Sequence, residues 1–299
     1  MKNILVIGGS YFLGKAFVKL AISSGHDVTV FNRGNRPLNN SKIKELYGDR
    51  HDPDAMKPLA GQQFDAVVDF CGYEKNDILT VFQQLKSQMK QYVFISTCDV
   101  YERGTTNVQD EHSPFERRDF GGEAGQYITG KVALEEELRE CSAEFGIPYT
   151  SIRPAFIYGP ENYAPREAMY LHWIEQAGQI LHPTDATGVF QMVYVEDVAK
   201  AILKAIGNEA AFNEAFNLAP LPMITYESFA DTLAMAVTTP FERVPVTVEM
   251  VNEKQIPLPF PLTPEESNRY DGEKVLQLIG NYTPLETGLK QTFSKATLL

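Results

Sequence analysis

Tyr127 and Lys131 stand four apart in "QYITGK", inside a stretch, "ITGKVALEEELRECSAEFG", whose pattern predicts a helix stopped by Gly146. Residues four apart share a helix face, so the phenol and the ammonium point the same way. An ammonium beside a phenol favours the phenolate and lowers the tyrosine pKa, which makes Tyr127 a usable acid or base. Upstream, "FISTCDVY" ends a predicted strand with Ser96 and Thr97. The Thr97 hydroxyl can bond a substrate oxygen and stabilise charge developing there. The chemistry is proton exchange with a hydroxyl or ketone.

That chemistry needs a partner, and the N-terminus provides a place for one. "NILVIGG" reads as a buried strand and "LGKAFVKLAISSG" as a helix, joined by a turn over residues 8–14. Gly8, Gly9 and Gly14 bring backbone N–H groups and a helix N-terminus to a dinucleotide pyrophosphate, with Ser10, Tyr11, Phe12 and Leu13 between them. Tyr11 stands where the middle glycine of G-x-x-G-x-x-G falls. The second strand ends "VFNRG". Asn32 takes the place of the acid that binds a ribose 2′-hydroxyl, and Arg33 follows it. A guanidinium without a carboxylate suits a 2′-phosphate, so the expectation is NADP over NAD. Asp49 and Arg50 of "YGDRHD" follow a third strand, where Asp49 can accept from an adenine amino group. Phe70, Cys71 and Gly72 of "DFCGY" end the fourth, where Gly72 admits the backbone to the ribose and nicotinamide.

Strands alternating with helices predict an α/β fold, a Rossmann-type doubly wound parallel sheet with a smaller C-terminal substrate lobe. Residues 1–155 are expected to form the dinucleotide-binding domain, with a return segment near 189–218. Residues 156–299, richer in proline and aromatics, are expected to be mainly the substrate lobe. The 299 residues are 43% apolar and carry a formal charge of -12, which makes nucleic acid or an anionic membrane an unlikely partner. Three scattered cysteines and five histidines lack disulfide or metal-ligand spacing, so no metal is expected and the compartment is read as reducing and cytoplasmic. The run "ALEEELRE" reads as a solvated acidic face.

The landmarks "GGSYFLG", "FNRG", "GDR", "DFCG", "ISTCDVY", "YITGK", "IRPAFIYGP", "MVYVEDVAKAI" and "RYDGEKVLQLIG" run the length of the chain. Together they resemble the extended short-chain dehydrogenase/reductase superfamily, the NAD-dependent epimerase/dehydratase family. The resemblance implies a Thr97–Tyr127–Lys131 triad, with Lys131 also holding the nicotinamide ribose and Pro154 near the carboxamide. It implies an NAD(P)-dependent oxidoreductase or epimerase acting on a sugar or nucleotide sugar, and a homodimer. Departures bear on the chemistry. "STCDVY" puts Cys98 and Asp99 where the 4,6-dehydratases have an acid pair, which argues against elimination, and Cys98 is read as packing. Phe190 and Gln191 replace a diphosphate-binding arginine and Phe156 an asparagine, with Arg166 or Arg269 as substitutes. The turn without its middle glycine is similar to an atypical branch that includes chloroplast stem-loop RNA-binding proteins. The alternative reading is therefore a non-catalytic NAD(P)-binding protein, RNA-binding or redox-sensing.

Overall fold

A computed structural model of the chain describes residues 1–296 except 53, 106 and 165. The first half alternates as read: β1 (Asn3–Ile7), α1 (Phe12–Ser23), β2 (Asp27–Asn32), β3 (Lys44–Tyr47), β4 (Ala66–Asp69), α2 (Asp77–Leu85), β5 (Tyr92–Ile95), α3 (Gly122–Phe145) and β6 (Tyr149–Pro154). There follow β7 (Phe156–Tyr158), α4 (Glu167–Ala177), β8 (Gln179–Pro183), β9 (Met192–Tyr194), α5 (Val195–Ala205) and β10 (Glu214–Leu218). The chain continues with α6 (Tyr226–Ala236), β11 (Glu242–Val246), α7 (Val248–Glu253), α8 (Leu276–Ile279) and α9 (Leu285–Ala296).

The main sheet has seven strands in the order β10-β6-β5-β4-β1-β2-β3, every pair parallel. Its strands are apolar on both faces because both are covered. Ile4 and Val6 of β1 face α1 and α5, while Leu5 and Ile7 face α2 and α3. The fold is thus the Rossmann-type α/β architecture. Strand order reverses between β1 and β4, so a crevice opens beyond their C-terminal ends.

One detail differs from the sequence reading. "PYTSIRPAFIYG" is not one strand. The chain leaves the sheet at Ala155, whose N–H still bonds Leu218 O, and β7 then pairs with β9 in a separate two-stranded sheet. The segment near 189–218 divides: β9 stays with β7, α5 packs on α1, and β10 forms the sheet edge beside β6. One continuous apolar cluster runs from α1 and α5 through Tyr170, Phe190, Phe229 and Phe260 to α9.

The acidic run in α3 is not a solvated face. Glu135 is fully buried, with its carboxylate bound bidentately to Arg153 of β6 at 2.7 Å on each oxygen and accepting from Ser151. Glu137 accepts from the N–H groups of Asn76 and Leu79 at the start of α2, at 2.8 and 2.7 Å. These acids lock α3 in register against β6 and α2, because a buried carboxylate must be paired. Glu136, in a surface ion pair with Arg117, and the exposed Glu140 behave as expected.

Candidate active site

The crevice begins at the first turn. Gly8 and Gly9 have φ of +82° and +74°, the left-handed region that favours glycine. Close packing fixes the rest of the turn. A Cβ on Gly8 would lie 2.9 Å from Cys71 Sγ, and one on Gly14 would lie 2.4 Å from Gly9 Cα. The ends of β1 and β4 therefore meet at van der Waals distance, and α1 can approach the turn only because residue 14 has no side chain. Phe12 and Leu13 point into the α1 core, so at the groove they offer backbone only. Ser10 is half-buried in the same turn.

The end of β2 is more crowded than its sequence suggests. Asn32 is spent: its Nδ2 donates to Glu45 at 2.9 Å and its Oδ1 accepts from Gly34 N–H at 2.7 Å. Glu45, on β3, also accepts from Leu38 N–H. Folding thus returns a carboxylate to a place where the sequence of β2 shows none. Arg33 is exposed, and Arg36 lays its guanidinium 4.2 Å from the centre of the Tyr11 ring.

Asp49 is exposed, with its carboxylate capping His51 N–H. Arg50 does not match the expectation of a cofactor contact through its side chain. It is buried and bound bidentately to Asp69 at 2.7 and 2.9 Å, with a further bond to Cys71 Sγ at 2.8 Å. Asp69 also accepts from the Tyr92 hydroxyl at 2.6 Å and from Cys71 N–H. Burial opposes ionisation, but Arg50 and these donors hold the Asp69 carboxyl below its ordinary value. Arg50 is a strut beneath the strand ends. Cys71 shares it, and burial pushes the Cys71 thiol up to about 12. Phe70 packs on Phe17 of α1, and Pro154 is buried at the end of β6.

The three hydroxyl and amine groups singled out in the sequence do come together. Lys131 is buried and its Nζ donates to Gly72 O and Ile95 O, both at 2.9 Å, which ties α3 to the ends of β4 and β5. The rings of Phe94 and Tyr73 flank the ammonium at 4.7 and 4.9 Å. Burial lowers its pKa to about 8, against the opposing pull of Asp69. One helical turn back, Tyr127 is 41% exposed, with the Thr97 hydroxyl close enough to favour its phenolate. Thr97 caps the single 3-10 turn Cys98–Val100 by accepting from Asp99 N–H at 3.1 Å.

One expectation fails here. The Tyr127 phenol is raised, not lowered. Partial burial is the main cause, then the nearby carboxylate of Asp99, and the Thr97 hydroxyl offsets only part of this. The Lys131 ammonium is directed at two backbone carbonyls, so it does little to favour the phenolate. In the free site Tyr127 is a proton donor rather than a base. Asp99 in turn is held by Arg103 at 2.5 Å.

Cys98 is buried, its Sγ 2.9 Å from Arg153 O and its thiol held well above the usual value by burial, so it cannot serve as a nucleophile. Gln191 is also spent, donating to Ala219 O and Tyr270 O and accepting from Tyr270 N–H. Phe190 stacks on Phe260 at 3.9 Å. Arg166 sits 4.6 Å over the Phe156 ring.

The sequence reading missed Tyr163 and Tyr73. Tyr163, on the loop after β7, stacks on Tyr11 at 4.8 Å and meets Phe12 edge-on. Such a ring pair contributes about 0.5–1.5 kcal/mol, and an exposed cation over a ring about 0.5–1 kcal/mol. No short-range signal marks Tyr163, because its partner comes from the opposite end of the first domain.

Among known proteins, the chain matches the NAD dependent epimerase/dehydratase family over residues 4–78 and 74–219. A chloroplast stem-loop binding protein of 41 kDa from Arabidopsis thaliana is 31% identical over 250 residues, 79% of this chain and 63% of that protein. A UDP-glucose 4-epimerase from Corynebacterium glutamicum is 25% identical over 254 residues, 72% of this chain and 74% of that one. In fold, a UDP-glucose 4-epimerase from Thermotoga maritima superposes with a TM-score of 0.76 at 21% identity, covering 99% of this chain and all of that one. By the extent of the family match, this chain belongs to the NAD dependent epimerase/dehydratase family.

Proposed function

We propose that the protein is a nicotinamide-dinucleotide-dependent oxidoreductase or epimerase that acts on a hydroxyl or ketone of a sugar-like substrate through Thr97, Tyr127 and Lys131. The observation that carries this reading is the gathering of the Thr97 hydroxyl, the Tyr127 phenol and the buried Lys131 ammonium, whose Nζ bonds Gly72 O and Ile95 O at the C-terminal ends of β4 and β5. The family match and the naming of relatives as sugar-nucleotide epimerases support the substrate class.

The residues fit a dinucleotide. The turn at Gly8, Gly9 and Gly14, the first two at positive φ, packs the strand end tightly against the N-terminus of α1, the arrangement that binds a diphosphate. Arg33 supplies positive charge for a 2′-phosphate, which favours NADP, while Glu45 is kept occupied by Asn32 and Leu38. Lys131 would hold the ribose next to the nicotinamide. When bound, the nicotinamide supplies a hydride donor or acceptor. Tyr127, protonated in the free site, gives its proton to the oxygen of a ketone as that oxygen gains charge. Thr97 donates to the same oxygen or to the phenolate left behind. Arg166 is the cation set to meet an anionic substituent on the substrate.

The test pairs the protein with reduced dinucleotide and a panel of keto-sugars and nucleotide sugars, following loss of reduced nicotinamide absorbance. Tyr127→Phe should lower turnover by about 10²–10⁴ without weakening dinucleotide binding. Retained turnover in Tyr127→Phe overturns the assignment. A second reading, a non-catalytic RNA-binding protein, is favoured by the name of the 31% identical relative and opposed by the net charge of -12. Salt-dependent RNA affinity without any dinucleotide affinity would establish it.

A further inference from the structure

Tyr11, the residue that interrupts the glycine pattern, has partners on two other segments. It is the N-cap of α1, at the helix end where the diphosphate of a dinucleotide belongs. Its ring lies between the guanidinium of Arg36, from the loop after β2, and the ring of Tyr163, from the loop after β7. We propose that Tyr11, Arg36 and Tyr163 form a clasp across the diphosphate end of the dinucleotide groove, shut in the free protein, which sets how fast a dinucleotide enters. The inference rests on the dinucleotide-binding reading above.

The clasp is built to open. Tyr11 and Tyr163 are 40% and 65% exposed, so parting them uncovers little buried surface. Beyond the rings, the Tyr163 loop is latched to α1 by the Lys15–Glu161 ion pair at 2.7 Å, with both side chains about half exposed. Exposed pairs of this kind hold weakly. The key is Arg36. A guanidinium face resting on an aromatic ring can instead bind phosphate oxygens through two parallel N–H donors, a stronger and more directional contact. An arriving diphosphate therefore draws Arg36 off Tyr11 and removes one of the two partners that hold the ring in place. The clasp also reaches the chemistry. The Tyr163 hydroxyl lies near enough to those of Tyr127 and Tyr73 to raise both phenols. Moving Tyr163 thus clears the turn and changes the surroundings of Tyr127 together.

The experiment is stopped-flow binding of NADPH and of NADH to the wild-type protein, Tyr163→Ala and Tyr163→Phe, read by nicotinamide fluorescence. Tyr163→Ala should speed association by up to about tenfold, the scale of one lost ring pair, and leave dissociation unchanged. Tyr163→Phe keeps the stack and should behave as wild type. Association by Tyr163→Ala without measurable wild-type binding also supports the clasp. An association rate for Tyr163→Ala within twofold of wild type overturns the clasp and leaves the dinucleotide reading standing. If none of the three proteins binds either dinucleotide, both readings fall.

Discussion

Lys131→Met should make the protein more stable near neutral pH, with an advantage that shrinks as pH rises. The ammonium is buried, and its pKa falls from 10.5 to about 8 on folding. At 1.36 kcal/mol per pKa unit, holding that charge inside costs about 3 kcal/mol relative to the neutral amine. Methionine removes this cost with little change of volume but leaves Gly72 O and Ile95 O without their donor, a loss of about 1–3 kcal/mol. The net gain near pH 7 is therefore about 0–2 kcal/mol. The pH dependence is sharper. A lysine whose folded pKa is depressed destabilises the fold fully below that pKa, and the penalty fades as pH rises from the folded value toward the unfolded one. Between about pH 7 and pH 9 the wild type should gain about 1 kcal/mol on the variant by this linkage. Urea unfolding of both proteins at the two pH values, with equal m-values, measures it. A stability difference that stays constant across that interval would refute a charged, strained Lys131. Dinucleotide-dependent turnover should be lost in Lys131→Met, so stability and function move in opposite directions.

Other changes test the supports of the site. Asp69→Asn leaves the Arg50 guanidinium buried without its carboxylate and should cost about 3–5 kcal/mol in denaturant unfolding. Because the folded Asp69 pKa is depressed, its contribution in the wild type is present above the ordinary carboxylate range and is lost as pH falls below it, so acid unfolding of the variant should be less steep. In Gly14→Ala the new Cβ meets the backbone of Gly9, so α1 must move away from the turn, and dinucleotide affinity measured by calorimetry should fall at least tenfold. Cys98 should resist iodoacetamide in the folded protein and react only after unfolding, as followed by mass spectrometry; rapid labelling of the native state would contradict its burial.

Much of the frame was legible because local chemistry produces it. The apolar, β-branched runs at Asn3–Ile7, Asp27–Asn32, Ala66–Asp69 and Tyr92–Ile95 have no other way to be buried than as central parallel strands. Gly146 ends α3 in the left-handed conformation that its position implied. Tyr127 and Lys131 share a face by helical periodicity alone. What failed did so for tertiary reasons. "PYTSIRPAFIYG" has strand propensity throughout, yet two different partner strands compete for it, and the chain divides at Ala155. The acids of α3 look like a solvent face until Arg153 and the start of α2 are packed against them.

The sequence by itself determined the architecture, the glycine turn and the spacing that puts a phenol and an amine on one helix face, since each depends on residues close together in the chain. The tertiary structure decided where the charges go. It turned Arg50 inward to Asp69, brought Glu45 to Asn32, aimed Lys131 at two carbonyls instead of at Tyr127, and seated Tyr163 and Arg36 on the ring of Tyr11. Those outcomes follow from burial and from long-range pairing, because a charge removed from water must find a partner wherever the fold supplies one.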